Sequence, residues 1–494
     1  MEGLKTFEPG FDYLAKTFAG MEDVLAKELT ELGAKDVEII KRGATFRGDK
    51  ELLYKCNYLS RLAIRFLKPI GVFAAKNSDQ LYEKVRKIDW TQIFKLNQSF
   101  IVNANVFYSE VDHSHFASLR VKDAIVDQFR EKQGRRPWVN TEKPDIYIDV
   151  HIAHDICTIS LDSSGESLHK REYKVAVDKA PINEVLAAGM IKISGWDATE
   201  DLIDPMCGSG TIPMEAAMMA MKIPAGYYRT KFAFFNWAGF DQDIWEKIKA
   251  DADEQITETE CNIIASDRSK VAVNITKRNL KNAGLHKDII THNKFFDELM
   301  PENQKGILIF NPPYGKRLEE RGELRDIYKG IGNVLKQNFS GFTAWIITPN
   351  IEAAKFVGLR PSAKVELYNG PIETKFLKFE LYEGSKKGKY DSDDKRDHGF
   401  KKREYSTEKP RSYGRKPYGS QNRDSSDNKP FNRDERFKKR SEGPAERKES
   451  YKPVRERFNK DKDSYSKPKF DRFKKKEEPQ NPNKRLRRPR KPMD

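Results

Sequence analysis

Asp201-Leu202-Ile203-Asp204-Pro205-Met206-Cys207-Gly208-Ser209-Gly210-Thr211 passes from a short apolar run into a glycine-rich loop. Such a stretch reads as a strand that delivers Asp204 to its carboxyl end, followed by a tight turn and a helix start. Glycines let backbone approach a ligand closely, and the free N–H groups of a helix start favour a carboxylate or phosphate. The segment therefore predicts a cofactor pocket at the edge of a parallel sheet, with Asp204, Met206, Gly208, Ser209, Gly210 and Thr211 around it.

About a hundred residues on, Asn311-Pro312-Pro313-Tyr314 closes the apolar run Ile307 to Phe310. An Asn amide oxygen and a carbonyl freed by proline can accept hydrogen bonds from the exocyclic amine of a nucleobase, and a Tyr ring can stack on the base. The lone pair of an aromatic amine is delocalised into its ring. Two acceptors on its hydrogens favour a pyramidal nitrogen able to attack a sulfonium methyl group, with no covalent protein intermediate. Asn311, Pro312, Pro313 and Tyr314 are therefore the candidate catalytic residues, and S-adenosylmethionine is the expected cofactor.

Outward from these motifs, Ala265-Ser266-Asp267 ends the next strand and places Asp267, followed by Arg268, to accept the ribose hydroxyls of adenosine. That pairing favours S-adenosylmethionine over a dinucleotide. After the third strand, Thr291 to Asp297 offers Asn293 for the adenine amine, with Phe295 packing on adenine as a second reading. Lys294 stands where an acidic residue would be usual. Lys316 and Arg317 suit a backbone phosphate or a solvated basic loop equally.

From about residue 180, strands expected at Asp201–Ile203, Ile263–Ser266, Ile289–His292, Gly306–Phe310 and Thr343–Thr348 alternate with helices. Lys364–Tyr368 and Thr374–Tyr382 flank Asn369-Gly370 and read as an antiparallel hairpin. The fold class is α/β, a Rossmann-like class I methyltransferase sheet with an antiparallel hairpin. The segment Pro224 to Ile248, inserted before the second strand, carries Tyr227, Tyr228, Arg229, Phe232, Phe234, Phe235, Trp237 and Trp245. It reads chiefly as a hydrophobic cluster, with a minority of rings left for the base pocket.

Residues 11 to 70 read as β-α-β-β-α-β, a ferredoxin-like module within 1–70. Strands are expected at Tyr13–Thr17, Val37–Lys41, Ala44–Arg47 and Ile64–Ile70, and helices at Met21–Leu32 and Lys50–Leu59. A second α+β module follows to about 170, with a helix at Ser118–Lys132 and strands at Asp145–Ile152 and Ile156–Asp162.

Charge divides the chain sharply. Residues 385–494 hold 38 Lys/Arg against 20 Asp/Glu, whereas the preceding 384 residues hold 53 against 55, so the excess positive charge resides in the tail. With one Leu, one Val and no Ile or Trp, the tail is too poor in apolar side chains to offset ordering entropy, and disorder is expected. Its Arg-Phe pairs, such as Arg436-Phe437 and Arg457-Phe458, suit salt-sensitive RNA binding, with a solubilising tail as the plainer reading.

Cys56, Cys157, Cys207 and Cys261 are scattered, which argues against zinc and a disulfide framework. His113 and His115 fit a polar loop, and no metal is expected. No apolar stretch approaches membrane-spanning length, so a cytoplasmic location is expected.

The chain resembles, from about residue 10 to 383, the THUMP-containing bacterial methyltransferases of large-subunit ribosomal RNA, specifically the first methyltransferase half of the fused enzyme. Besides the two core motifs, the resemblance includes Leu168-His169-Lys170-Arg171-Glu172-Tyr173-Lys174 and Ala180-Pro181-Ile182-Asn183-Glu184. It implies a THUMP RNA-binding domain over 45–160, overlapping the first module, and a catalytic domain over 171–384. It implies that Pro181, Asn183 and Glu184 border the methionine end of the cofactor. It also implies that Asn311 and Pro312 position the amino group of a guanine in 23S ribosomal RNA while Tyr314 stacks. Arg135 and Arg136 are the candidate RNA-binding residues of the body, with Lys41, Arg42, Arg61 and Arg65 as further members of a basic patch.

Transfer RNA guanine, an adenine amino group in DNA and a non-catalytic ribosome-assembly role are the competing readings. Methylation at a pyrimidine carbon needs a nucleophilic cysteine. Cys207 lies in the cofactor loop, and no cysteine follows the Pro-Pro segment.

Overall fold

Alternation of apolar residues in the N-terminal half and continuous apolar runs in the C-terminal half build two seven-stranded sheets of different character. The computed structural model describes residues 12–111, 113–177, 181–314 and 321–382. The expected disordered tail over 385–494, with Lys316 and Arg317, lies outside the described residues.

The first half begins β1 (Tyr13–Lys16), α1 (Glu22–Leu32), β2 (Lys35–Ile40), β3 (Gly43–Arg47), α2 (Lys50–Leu59) and β4 (Arg65–Ala74). The one face of α1 that carries Leu25, Glu28 and Leu29 is buried, as i, i+3, i+4 spacing requires. Then come α3 (Ser78–Arg86), α4 (Trp90–Ile93), β5 (Phe100–Phe107), α5 (Ser114–Gln133), β6 (Ile146–Ala153) and β7 (Ile156–Asp162). The strand order is β2-β3-β1-β4-β7-β6-β5.

Three features depart from the sequence expectation. α3, α4 and β5 were not anticipated, and α5 starts four residues earlier than expected. β4 also continues past Ile70 to Ala74 and pairs antiparallel with β7, so the two small modules share one sheet. Pro69-Ile70-Gly71 resembles a strand end, but the ladder absorbs it as a register shift between Pro69 and Gly71. Such an irregularity tolerates a residue without an N–H donor.

The second half comprises α6 (Glu184–Ser194), β8 (Asp201–Asp204), α7 (Thr211–Ala220), α8 (Gln242–Asp253), β9 (Ile263–Ser266), α9 (Lys270–Ala283) and β10 (Ile290–His292). It continues with β11 (Gly306–Phe310), α10 (Arg321–Asn338), β12 (Thr343–Thr348), α11 (Ile351–Ala354), β13 (Ala363–Asn369) and β14 (Ile372–Glu380). The order is β10-β9-β8-β11-β12-β14-β13, the first five strands parallel and β14 antiparallel to both neighbours. Leu202, Ile263, Ile307, Ile309 and Trp345 enter one core, and Ile203, Ile264, Leu308, Phe310 and Ile346 enter the other. Both faces are covered, so these strands read as unbroken apolar runs. Asn369 pairs with Ile372, which puts Gly370 and Pro371 at the turn rather than Asn369 and Gly370.

The aromatic insertion joins the halves. The Tyr54 and Phe234 rings stack 4.3 Å apart, and Tyr58 meets Trp245 edge-on at 5.3 Å. Phe232, Phe234 and Trp245 share a core with α1, α2 and β3, so most of these rings fasten the N-terminal half to the catalytic sheet. Arg61 and Arg65 leave the expected basic patch for a related reason. Arg61 Nη2 donates to the Met218 and Ile223 carbonyls, and Arg65 pairs with the buried Asp162. Burying a guanidinium requires such partners, and a group so engaged is not free for phosphate. Lys41, Arg42, Arg135 and Arg136 are exposed. Among the described residues, no helix is long and apolar enough to cross a membrane.

Candidate active site

The chain visits β8, β9 and β10 on one side of the second sheet and then crosses to β11 on the other side of β8. Ligands of open α/β sheets bind beyond the strand carboxyl ends at such a reversal. Ile203 lies opposite Leu308, so the loops after Asp204 and after Phe310 leave neighbouring strands at nearly the same level. Paired strands run about 4.8 Å apart. The two motifs therefore open onto one crevice.

The glycine loop is held from behind. Asp204 is 1% exposed, and its Oδ1 accepts the Met206 N–H at 3.1 Å. Burial, with a smaller push from Asp267, drives the Asp204 carboxyl well above the ordinary carboxylate range. Asp267 Oδ2 accepts the Gly208 N–H at 3.0 Å, and its Oδ1 accepts the Ser269 N–H at 2.8 Å. Thr276 Oγ1 donates to the Gly208 carbonyl at 2.9 Å, and Asn279 Nδ2 donates to the Ser209 carbonyl at 3.1 Å.

Two glycines show which side is open. A Cβ on Gly210, where φ is +82°, would sit 2.7 Å from Thr276 Cγ2, so only glycine lets the loop lie against α9. A Cβ on Gly208 would meet nothing within 4 Å. The loop is thus packed on one side and clear on the other, a cradle that fits an adenosyl cofactor.

The loop after β11 is different. Asn311 is half-buried, yet its Oδ1 is shut off from solvent and has no hydrogen-bond partner among the described residues. A buried acceptor left unmade costs about 1–3 kcal/mol, so it is expected where a ligand supplies the donor. Pro312 is buried, Pro313 is exposed, and Tyr314 is half-buried with its hydroxyl 3.4 Å from Asn369 Nδ2. Burial raises the Tyr314 pKa against the lowering influence of the Asn369 and Asn311 side chains, so the phenol stays neutral.

Asn293 lies just past β10, level with Asp267, and its Nδ2 donates to the Asp267 and Arg268 carbonyls at 2.9 and 3.1 Å. The Arg268 side chain is exposed, as is Phe295. Asn183 caps α6 by accepting the Val185 N–H at 2.9 Å, and Glu184 pairs with Lys174 at 2.8 Å. These two side chains hold the start of α6, while Pro181 is exposed in front of it. Thr276 and Asn279 escaped sequence reading, because nothing within α9 signals which loop its polar face will meet. His113 and His115 lie at the start of α5, and among the described residues no cluster of three His, Cys, Asp or Glu side chains could hold a metal. Cys207 is buried and its thiol pushed well up by burial, so it is a poor thiolate.

Three family models match in sequence order. The model described as "RlmL ferredoxin-like domain" covers residues 12–67, "THUMP domain" 75–162 and "RMKL-like, methyltransferase domain" 171–378. The Synechocystis protein named "Putative RNA methyltransferase slr0064" is 40% identical over 372 residues, spanning 75% of this chain and 97% of that one. "Ribosomal RNA large subunit methyltransferase K/L" of Syntrophotalea carbinolica is 37% identical over 383 residues, spanning 75% of this chain and 54% of its own length. The chain thus spans about half of that relative. The crystal structure of "SMU.472, a putative methyltransferase complexed with SAH" aligns with a TM-score of 0.69 at 28% identity, covering 76% of this chain and 99% of that one.

The methyltransferase domain, together with a fold shared with a protein solved bound to SAH, gives S-adenosylmethionine as the cofactor. The chain belongs to the THUMP-containing, RMKL-like family of S-adenosylmethionine-dependent methyltransferases.

Proposed function

We propose that this protein methylates the exocyclic amino group of a guanine in RNA, with large-subunit ribosomal RNA as the substrate. The observation that carries the reading is the buried Oδ1 of Asn311, without a hydrogen-bond partner among the described residues, just past the strand next to the one that ends in the glycine loop. The names of the relatives from Synechocystis and Syntrophotalea support RNA, and ribosomal RNA in particular.

In this reading Asn311 Oδ1 and the Pro312 carbonyl accept the two amine hydrogens, which localises the lone pair on nitrogen. Tyr314 stacks on the base and sets the ring plane. Asp267 keeps lone pairs for the ribose hydroxyls beyond its two backbone bonds. Asp204, Met206 and Gly208 to Thr211 line the cofactor, with Arg268 and Asn293 at its adenosine end and Pro181, Asn183 and Glu184 toward its methionine end. When bound, S-adenosylmethionine supplies an electrophilic methyl group on a sulfonium centre. Asn311 is uncharged and a poor base, so the proton released by the amine passes to water.

The domain reading is a ferredoxin-like module and a THUMP domain that hold RNA, with Arg135 and Arg136 on the RNA path, ahead of the catalytic domain. Mass spectrometry of ribosomal RNA from cells lacking the protein tests substrate and atom together. A missing N2-methylguanosine in the large-subunit RNA is the expected result. A loss confined to transfer RNA, or to an adenine in DNA, would replace this substrate.

A further inference from the structure

The segment from Ser167 to Val177 leads from the N-terminal sheet toward α6, and side chains from several elements secure it. Arg171 donates to the Leu168 and Arg61 carbonyls, Tyr173 donates to the buried Glu215 at 2.8 Å, and Lys174 pairs with Glu184. From α9, Asn282 Nδ2 donates to the Tyr173 carbonyl at 2.9 Å. A further residue of α9 bonds both this segment and the glycine loop.

Asn279 is fully buried on α9. Its Oδ1 accepts the Val175 and Ala176 N–H groups, both at 3.0 Å, while its Nδ2 donates to the Ala176 carbonyl at 2.9 Å and the Ser209 carbonyl at 3.1 Å. All four bonds run to backbone, and they divide between two segments far apart in sequence. One carboxamide is the shared fastener of the connecting segment and the glycine loop. An amide is suited to this task, since it offers two acceptor sites and two donors in one plane.

Among the described residues, the Thr276 side chain, one turn earlier, bonds the loop alone. Among the described residues, the Asn282 side chain, one turn later, bonds the segment alone. α9 itself starts three residues after Asp267. A shift of the glycine loop on ligand binding therefore reaches Val175 and Ala176 through Asn279 with no intervening side chain.

We propose that Asn279 is a positioning residue that couples occupancy of the cofactor loop to the order of the segment joining the two halves of the protein. Coupling of this kind is reciprocal: whatever tightens the segment strengthens cofactor binding by the same factor. The N-terminal half thus gains a route by which its ligand favours a loaded catalytic domain.

Hydrogen exchange of the full chain with and without S-adenosylhomocysteine, alongside calorimetry of S-adenosylhomocysteine binding, tests this. In the wild type, ligand should slow exchange of the Val175 and Ala176 amides beyond any slowing of amides in the N-terminal sheet. Asn279→Asp retains the acceptor of those two amides and loses the donors, so their protection without ligand should persist while the ligand-induced gain disappears. Affinity should fall about tenfold, the worth of one buried hydrogen bond. Thr276→Val should weaken binding while the remaining gain at Val175 and Ala176 stays. If Asn279→Asp does not fold, Asn279→Ser is read in the same way for the lost gain. An unaltered gain in either Asn279 variant, or none in a wild type that binds the ligand, overturns the proposal.

Discussion

The loop after β8 and the loop after β11 lie side by side, but their polar groups are in opposite states. In the first, Asp204, Asp267, Thr276 and Asn279 bond backbone groups of the loop and its flanks, so the cradle is built before ligand arrives. In the second, Asn311 keeps a buried acceptor with no donor among the described residues. A satisfied network holds geometry, whereas a buried acceptor left unsatisfied favours a partner that brings a donor. The contrast separates residues that shape the site from the residue proposed to meet the substrate.

Asn311→Ala gives the sharpest break. Turnover should drop by about 10²-fold or more, as when one oriented hydrogen-bonding group is removed from an active site. S-adenosylhomocysteine affinity should stay, and the unfolding midpoint should hold or rise, since the substitution deletes a buried unpaired acceptor. A marked loss of stability would show that Oδ1 has a structural partner.

Asp267→Ala acts on the other loop. It should weaken cofactor binding by roughly 1.5 to 3 kcal/mol through lost charge-assisted bonds. Calorimetry showing unchanged affinity would move the ribose site elsewhere. Tyr314→Ala should lower turnover by about tenfold, in keeping with the worth of base stacking, and leave cofactor affinity nearly unchanged. The reverse pattern would take Tyr314 out of the substrate side.

The smallest effect concerns Asp204, whose folded-state pKa is raised above the ordinary value of about 3.9 by burial. Between those two values the folded protein holds a proton that the unfolded chain has released. Stability of the ligand-free protein should therefore decline as pH rises from about 3.9 through the raised value, and remain lower above it. Asp204→Asn should flatten that decline in urea unfolding followed across pH. An identical slope in both proteins would assign the pH dependence to another group.

Much of the catalytic sheet was legible because burial on both faces demands continuous apolar strands. Ile263–Ser266, Gly306–Phe310 and Thr343–Thr348 match expectation residue for residue. β5 was legible but overlooked. Phe100, Val102, Ala104 and Val106 alternate with more exposed neighbours, although Asn103 and Asn105 lower strand propensity and the strand pairs within the sheet only with β6. The basic residues were the least readable. Arg61 and Arg65 have the same composition-level signature as Arg135 and Arg136, yet the first two are spent on buried carbonyls and a carboxylate.

Sequence alone determined the strand-to-loop character of Asp204–Thr211 and Asn311–Tyr314, because apolar runs, glycines and prolines constrain backbone locally. It also determined the charge division at residue 384. Only the tertiary structure decided that these two loops share a crevice, that the aromatic insertion fastens α2 to the catalytic sheet, and that Thr276 and Asn279 stand behind the glycine loop. Those outcomes depend on which strands become neighbours and which buried donors find which carbonyls, and such pairings are settled across sixty or more residues by packing rather than by any local pattern.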